Sequence, residues 1–458
     1  MSKRIIMIGA GSVGFSTAIA RELLRSKLLK DSTFVLVDID KQRLADAKER
    51  ISAVSRGAGG SLKIEATTER RDVLKGADFI VTSFAPNRTR FWIRDIEIAQ
   101  ANGVELFHGE NGGPAGQVHA LRNITIMQEI VRDVEELCPQ AWIMNFTNPM
   151  SMLCTYLYKH TKVRSLGFCH QVHGSFGVVA EMLGMEPGDL QVFSAGINHM
   201  NFLLDIRHKD SGDSYMEEFL RKVKKSEYWQ KIHEYIPEQI FTLDFLNTFD
   251  IYPVGYDGHI CEYMPFFYSP EELKQLGYPS KLENLKTLEK ELLNKPRENK
   301  EVTGTIDDVE VDRILGKGKF PFPKDPGGSY YKETPVTVME SLITSEPLYL
   351  DSGVVLNQGC ISNLPSDAVV DMPMVVTGDG IHGVQVGELP FFAAELCRRQ
   401  IAIHKLVVQA AVSGDRRLFL EALCLESSVH SLKTARKLMD DYLGEYKEYL
   451  PQFHDNVS

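Results

Sequence analysis

Two groups of residues have types and spacing that can do chemistry. The first is Gly9-Ala10-Gly11-Ser12-Val13-Gly14, set between a short apolar run and an amphipathic stretch. It matches G-x-G-x-x-G. The first glycine allows a tight turn, the second admits a pyrophosphate against the backbone, and the third lets helix and strand pack closely. The helix that follows turns N–H donors and the positive end of its dipole toward phosphate. Asp38 closes the next apolar run. A carboxylate there hydrogen-bonds ribose hydroxyls and repels a 2′-phosphate, which favours NAD over NADP, although Lys41 and Arg43 weaken the preference. The alternative is a glycine-rich turn that binds nothing.

The second group is Cys169 and His199, in Gly167-Phe168-Cys169-His170 and Gly196-Ile197-Asn198-His199. Both segments follow expected strands, at the ends where open α/β sheets bind ligands. A thiolate and an imidazole could share one divalent metal and leave positions open for substrate oxygens. No tight metal motif surrounds them, so spacing alone favours a buried thiol and a hydrogen-bonded core histidine.

The elements that must position these groups alternate. Apolar runs at Arg4–Ile8, Phe34–Val37, Phe79–Thr82, Trp142–Met144, Arg164–Phe168 and Leu190–Ala195 read as strands. Ser12–Leu29, Lys41–Val54 and Gln117–Leu137 carry helical periodicity. This rhythm predicts an α/β fold, a Rossmann-type doubly wound parallel sheet over 1–196. Residues 197–458 then form an α+β domain for substrate, metal and oligomerisation. Segments 216–236, 270–295 and 391–450 are helix-rich, 351–390 suggests short strands with turns, and 300–330 reads as a mobile loop.

Of the 458 residues 43% are hydrophobic, enough for sizeable cores, and no run of eighteen apolar residues spans a membrane. The net charge of −11 makes no basic face for nucleic acid. Seven scattered cysteines do not read as a disulfide framework, which places the chain in a reducing cytoplasm.

Taken together, Gly9-Ala10-Gly11-Ser12, Asn145-Phe146-Thr147-Asn148-Pro149, Gly167-Phe168-Cys169-His170 and Gly196-Ile197-Asn198-His199 resemble glycoside hydrolase family 4. Asp257-Gly258-His259-Ile260-Cys261-Glu262-Tyr263-Met264-Pro265 and Asn363-Leu364-Pro365 extend the likeness over most of the chain. The family stands outside the two-carboxylate mechanism of most glycosidases. The resemblance implies a lactate/malate dehydrogenase-like fold, NAD and a divalent metal (Mn²⁺ favoured), and a homodimer or homotetramer with an interface in 351–413. It implies hydrolysis by C3 oxidation, C2 deprotonation, elimination of the C1 substituent, water addition and re-reduction, with no net redox change.

Roles follow by position. Cys169 and His199 match the metal ligands. Asn148 matches the residue near the reacting hydroxyls and the nicotinamide; a helix N-cap is its alternative. His170 is the candidate at the glycosidic oxygen. Asp257 is nominated as the C2 base, with Tyr256 as the alternative catalytic residue and a plain turn pair as the structural one. His259 and Glu262 share a helix face beside it, as substrate contact or as support for the ligands.

Two departures bear on the sugar. The family's glycine loop appears as Gly109-Glu110-Asn111-Gly112-Gly113-Pro114-Ala115-Gly116, with Glu110 toward substrate and His119 where an arginine is expected. His170 and Val172 replace the residues of phospho-sugar branches, and Gln171 matches no branch. A non-phosphorylated, α-linked glycoside is expected, α-galactoside first, then α-glucoside or α-uronide. Arg88, Arg90 and Arg94 read as a carboxylate clamp or, more simply, as solvated arginines. Two other functions stay open: an NAD-dependent hydroxy-acid dehydrogenase, against which the sequence is read as having no Gly-x-His-Gly segment at a catalytic histidine, and a non-catalytic NAD-binding sensor, against which Cys169, His199 and Asp257 stand.

Overall fold

A computed structural model describes residues 2–57, 61–169, 171–225, 240–255, 257–276, 280–294 and 335–454. The loop expected at 300–330 lies outside them, as does 226–239.

The apolar runs form parallel strands in the order β3-β2-β1-β4-β5-β6. These are β1 (Arg4–Ile8), β2 (Thr33–Val37), β3 (Lys63–Thr67), β4 (Phe79–Thr82), β5 (Trp142–Asn145) and β6 (Arg164–Gly167). The order is that of a doubly wound dinucleotide-binding sheet. Ile5 and Met7 pack into the core on one face, Ile6 and Ile8 into the core on the other. Burial on both faces is why these strands read as continuous apolar runs. The edge strand β3 is Lys-Ile-Glu-Ala-Thr, exposed or half-buried throughout, and carries no such signal.

The sheet does not end at β6. It continues through β11 (Val354–Leu356), β12 (Val369–Asp371), β7 (Leu190–Ile197), β8 (Met200–His208) and β9 (Pro253–Val254), all antiparallel to their neighbours. The boundary expected at 196 therefore falls inside the β7–β8 hairpin, and both expected domains share one eleven-stranded sheet. One rung runs Gly167, Val354, Asp371, Gly196, Asn201, Val254. Cys169 lies two residues past that rung, His199 in the turn within it, and Asp257 three residues beyond it. The second half of the chain thus brings distant segments to one line. The expected strands at 351–390 also include β13 (Met374–Thr377) and β14 (Gly380–Gly383), which pair beside β10 (Leu348–Leu350).

The helices Gly113–Leu137, Met150–His160 and Phe391–Ser413 pack together under one face, with Arg416–Leu425 and Leu432–Glu445 outside them. In Phe391–Ser413, His404 is 2% exposed and its Nε2 meets no partner. Burial pushes its pKa down to about 3. Unfolded, the imidazole takes up a proton below about 6.5. Between these values the unfolded chain binds more protons, so stability rises with pH and is lost as pH drops, by up to roughly 1 kcal/mol per unit from this residue. His404→Leu is expected to flatten the decline of denaturation midpoint between pH 6.5 and 4.5, and an unchanged slope would refute the assignment.

Candidate active site

The β1 strand ends in a turn built for close approach. Gly9 has φ +88°, and its N–H donates to the Val37 carbonyl at 2.9 Å. A Cβ on Gly9 would lie 2.1 Å from the Ser83 carbonyl oxygen. The Gly11 N–H donates to Asp38 Oδ2 at 2.7 Å, so the turn and the carboxylate that ends β2 hold each other. Ser12 is the N-cap of the helix Val13–Arg25 without a side-chain capping bond, and Gly14 lies in its first turn. A dinucleotide cradle needs these features: glycines where side chains would clash, a helix amino end, and an acid at the second strand. Gly9→Ala is expected to weaken NADH binding at least tenfold in a fluorescence titration, because the new Cβ must displace the β1–β4 crossing; unchanged affinity would count against the cradle.

Asn148 is half-buried at the end of β5, and its carbonyl accepts from Asn123 Nδ2 at 2.6 Å. It is not the helix cap: Pro149 holds that place before Met150–His160.

The β7–β8 turn presents His199 at φ +68°, a conformation uncommon for a residue with a side chain and held here by its surroundings. Asn198 reaches the Cys169 thiol and Asp371, whose carboxylate also accepts from Ser352 at 2.6 Å. Burial, with Asp371 adding to it, pushes the Cys169 thiol up to about 12, so ionisation there needs a cation.

Around His199 stand groups from three further segments. The His199 and His259 rings stack with centroids 3.9 Å apart, and His108 meets His259 edge-on at 4.7 Å. Among the described residues, two groups place metal-ligating atoms within 4.8 Å of one another: His108 with Glu110 and His259, and His199 with His259 and Glu262. Cys169 belongs to neither group. Burial, reinforced by His259, holds His199 well below its usual value, and burial takes His108 down to about 4. Burial resists ionisation of Glu262, yet His259, His108 and the Asn111 N–H bring it to about 2. Neutral imidazoles beside an ionised carboxylate are what a divalent metal requires. Sequence reasoning missed His108; its one signal is the spacing His108-Gly109-Glu110.

The structure places the other candidates as follows. Asp257 is fully buried, and its carboxylate accepts from Phe241 N (2.8 Å), Thr242 N (3.0 Å) and Thr242 Oγ1 (2.6 Å). It closes the amino end of the helix Ile240–Phe249. His170 and Tyr256 lie outside the described residues. Gln171 is buried and donates to the Val254 carbonyl at 2.7 Å, fixing the chain just before Asp257 rather than reading a sugar. Arg88 is not simply solvated: it meets Glu110 at 2.7 Å. Arg94 pairs with Glu445, and Arg90 is exposed.

His119 Nδ1 meets the Glu110 carbonyl at 2.9 Å, and Asn123 Nδ2 meets Nε2 at 2.9 Å. Both contacts are satisfied by the neutral ring with its proton on Nδ1. A shallow cleft opens here, lined by Arg88, Glu110, His119, Arg122 and Asn123 among others. A Gly-x-His-Gly segment of the dehydrogenase kind does occur, at Gly380–Gly383, but it forms β14, where His382 is exposed and meets Asp379.

The comparisons with known proteins agree with this architecture. The model of the family 4 glycosyl hydrolases matches residues 4–185, and that of their C-terminal domain matches 194–429. An alpha-glucosidase of Erwinia rhapontici is 28% identical over 98% of this chain and 99% of its own. An alpha-galactosidase of Bacillus subtilis is 27% identical over 98% and 100%. A probable 6-phospho-beta-glucosidase of the same organism is 28% identical over 99% and 98%. A 6-phospho-alpha-glucosidase from gut microorganisms, solved with NAD and Mn²⁺, superposes with a TM-score of 0.78 at 21% identity, covering 99% of this chain and 100% of that one. Malate dehydrogenase from Plasmodium falciparum reaches a TM-score of 0.50 at 16% identity over 90% and 98%, a likeness of fold. With both halves matched in order over most of its length, the chain belongs to family 4 of the glycosyl hydrolases.

Proposed function

We propose that the enzyme hydrolyses non-phosphorylated, α-linked glycosides, α-galactosides first, then α-glucosides and α-uronides, with NAD and a divalent metal, Mn²⁺ before others, as bound catalysts. The observation that carries the substrate class is the pairing of charge around the cleft. Arg88 is paired with Glu110, Arg122 with Asp95, and His119 is a neutral ring where the family pattern has an arginine. Among the described lining residues, each cation already has its anion, which disfavours a phosphate and suits a neutral sugar.

When bound, NAD supplies a reversible hydride acceptor and the metal a Lewis acid. The chain's residues do the rest. The turn at Gly9–Gly14 and Asp38 hold the dinucleotide, and Cys169 with His199 hold the metal. Asn148 orients the sugar hydroxyls, while His259 and Glu110 border the sugar. Asp257 is the nominated base for the C2 proton, with Tyr256 beside it as the alternative. His170 serves the glycosidic oxygen. The 1–196 and 197–458 portions divide the work as cofactor and substrate halves of one sheet. No described helix is long and apolar enough to cross a membrane. A reducing cytoplasm suits the Cys169 thiol, and Phe391, 77% exposed in 351–413, supports a homo-oligomer interface.

The test is aryl-glycoside hydrolysis across α- and β-gluco, galacto, glucurono and galacturono substrates with NAD⁺, Mn²⁺ and a thiol, repeated without NAD⁺ or metal. Release that collapses when either is withdrawn is expected, strongest on an α-galactoside. NADH accumulating on a free hydroxy acid without glycoside release would instead establish the dehydrogenase. NAD binding with neither metal binding nor turnover would establish the sensor.

A further inference from the structure

The buried cluster offers more metal donors than the Cys169–His199 pair. His199 comes from the β7–β8 turn, His259 from the short helix Asp257–Cys261, and Glu262 from the next residue. Nδ1 of His199, Nδ1 of His259 and Oε1 of Glu262 are all buried and make no hydrogen bond. His199 is 4% exposed and Glu262 5%. Each buried polar atom left without a hydrogen bond costs on the order of 1–3 kcal/mol. The three residues place metal-ligating atoms within 4.8 Å of one another, close enough to share one cation.

Glu262 is also aimed. Its Oε2 accepts from the Glu110 N–H at 2.8 Å and the Asn111 N–H at 2.9 Å. Those bonds leave Oε1 toward the imidazoles, 3.6 Å from His259 Nδ1. The loop reaches Glu262 because residue 112 is glycine; a Cβ there would lie 2.6 Å from the Glu262 carbonyl oxygen. A carboxylate held by backbone donors on one oxygen and offering the other is a common form for a metal ligand.

We propose that His259 and Glu262 join His199 as direct protein ligands of the divalent metal, so that this chain builds a two-imidazole, one-carboxylate site beside the Cys169 thiol. The inference rests on the metal-dependent reading above and deepens it. It gives a physical reason for manganese: an oxygen donor suits that ion better than thiolate and imidazole alone, which equally suit zinc. It also explains the glycine at 112, which the cofactor and substrate roles leave unused. His108 and Glu110 form a second group with His259 and meet each other at 3.6 Å, so they border the site.

The full chain, loaded with NAD⁺, is titrated with Mn²⁺ while free Mn²⁺ is read by electron paramagnetic resonance. Glu262→Gln and His259→Gln are each expected to raise the Mn²⁺ dissociation constant at least tenfold, with NADH affinity unchanged as the control for folding. Pulsed resonance on the Mn²⁺-loaded wild type counts imidazole nitrogens directly and needs no variant; two are expected. One coupled nitrogen, with both variants binding Mn²⁺ as tightly as wild type and Cys169→Ser alone losing it, overturns the inference and leaves the metal-dependent reading standing. A wild-type chain that retains no Mn²⁺ overturns both.

Discussion

His199→Ala is expected to lower the rate of glycoside release by at least about 10³-fold while NADH binding stays within a few-fold of wild type. His199 is shared by the Cys169 pair and the buried triad, so its removal takes a donor from either arrangement of ligands. Lewis-acid stabilisation of developing charge is worth several kcal/mol, and about 4 kcal/mol is a factor of 10³. The backbone at φ +68° introduces a confounder, since alanine is strained there and could distort the β7–β8 turn. His199→Gly resolves it, because glycine adopts that conformation freely. Equal losses in both variants, unrelieved by excess Mn²⁺, assign the effect to the imidazole. Activity within tenfold of wild type in the glycine variant would remove His199 from the site.

The sequence makes the cofactor half of this arrangement plain because its determinants are local. Gly9–Gly14 and Asp38 sit at the ends of two fully buried strands, and buried parallel strands announce themselves as apolar runs. The rest is long-range. That Cys169, His199 and the segment after Val254 share one rung depends on the β11–β12 hairpin inserting between β6 and β7, and nothing near those residues encodes it. The edge strand β3 and the long β8 were not expected, the first because its charged residues face water. The buried setting of Asp257 is long-range as well. Acid followed by glycine signals a turn or a catalytic group equally well, and only the fold shows the Ile240–Phe249 helix drawing that carboxylate onto its N–H groups. His108 was missed because its neighbour His259 is far away in sequence and adjacent only after folding.

The largest effect on stability is expected from Asp95→Ala. Asp95 and Arg122 are 1% and 4% exposed and meet through two parallel hydrogen bonds, 2.9 Å and 2.6 Å. Tyr446 donates its hydroxyl to Asp95 Oδ1 at 2.5 Å, Tyr442 donates to the Asp95 carbonyl, and the guanidinium lies 4.1 Å over the Tyr446 ring. The pair therefore ties the helices Arg88–Ala101, Gly113–Leu137 and Leu432–Glu445 together. Removing the acid leaves a buried cation without its partner, at a cost of about 3–5 kcal/mol, read as a lowered midpoint in denaturant unfolding. A double variant, Asp95→Leu with Arg122→Met, is expected to recover most of the loss, since apolar residues of similar volume replace a buried ion pair at little cost. If the double variant is worse than the single one, the tyrosine contacts rather than the charge pair hold the helices. The pair also bears on chemistry. Arg122 lies one helical turn from His119 and lines the same cleft, and Asp95 occupies both of its terminal amino groups. On the proposed reading that this cleft takes the sugar, the neutral His119 and the paired Arg122 both lower the positive charge open to a phosphate.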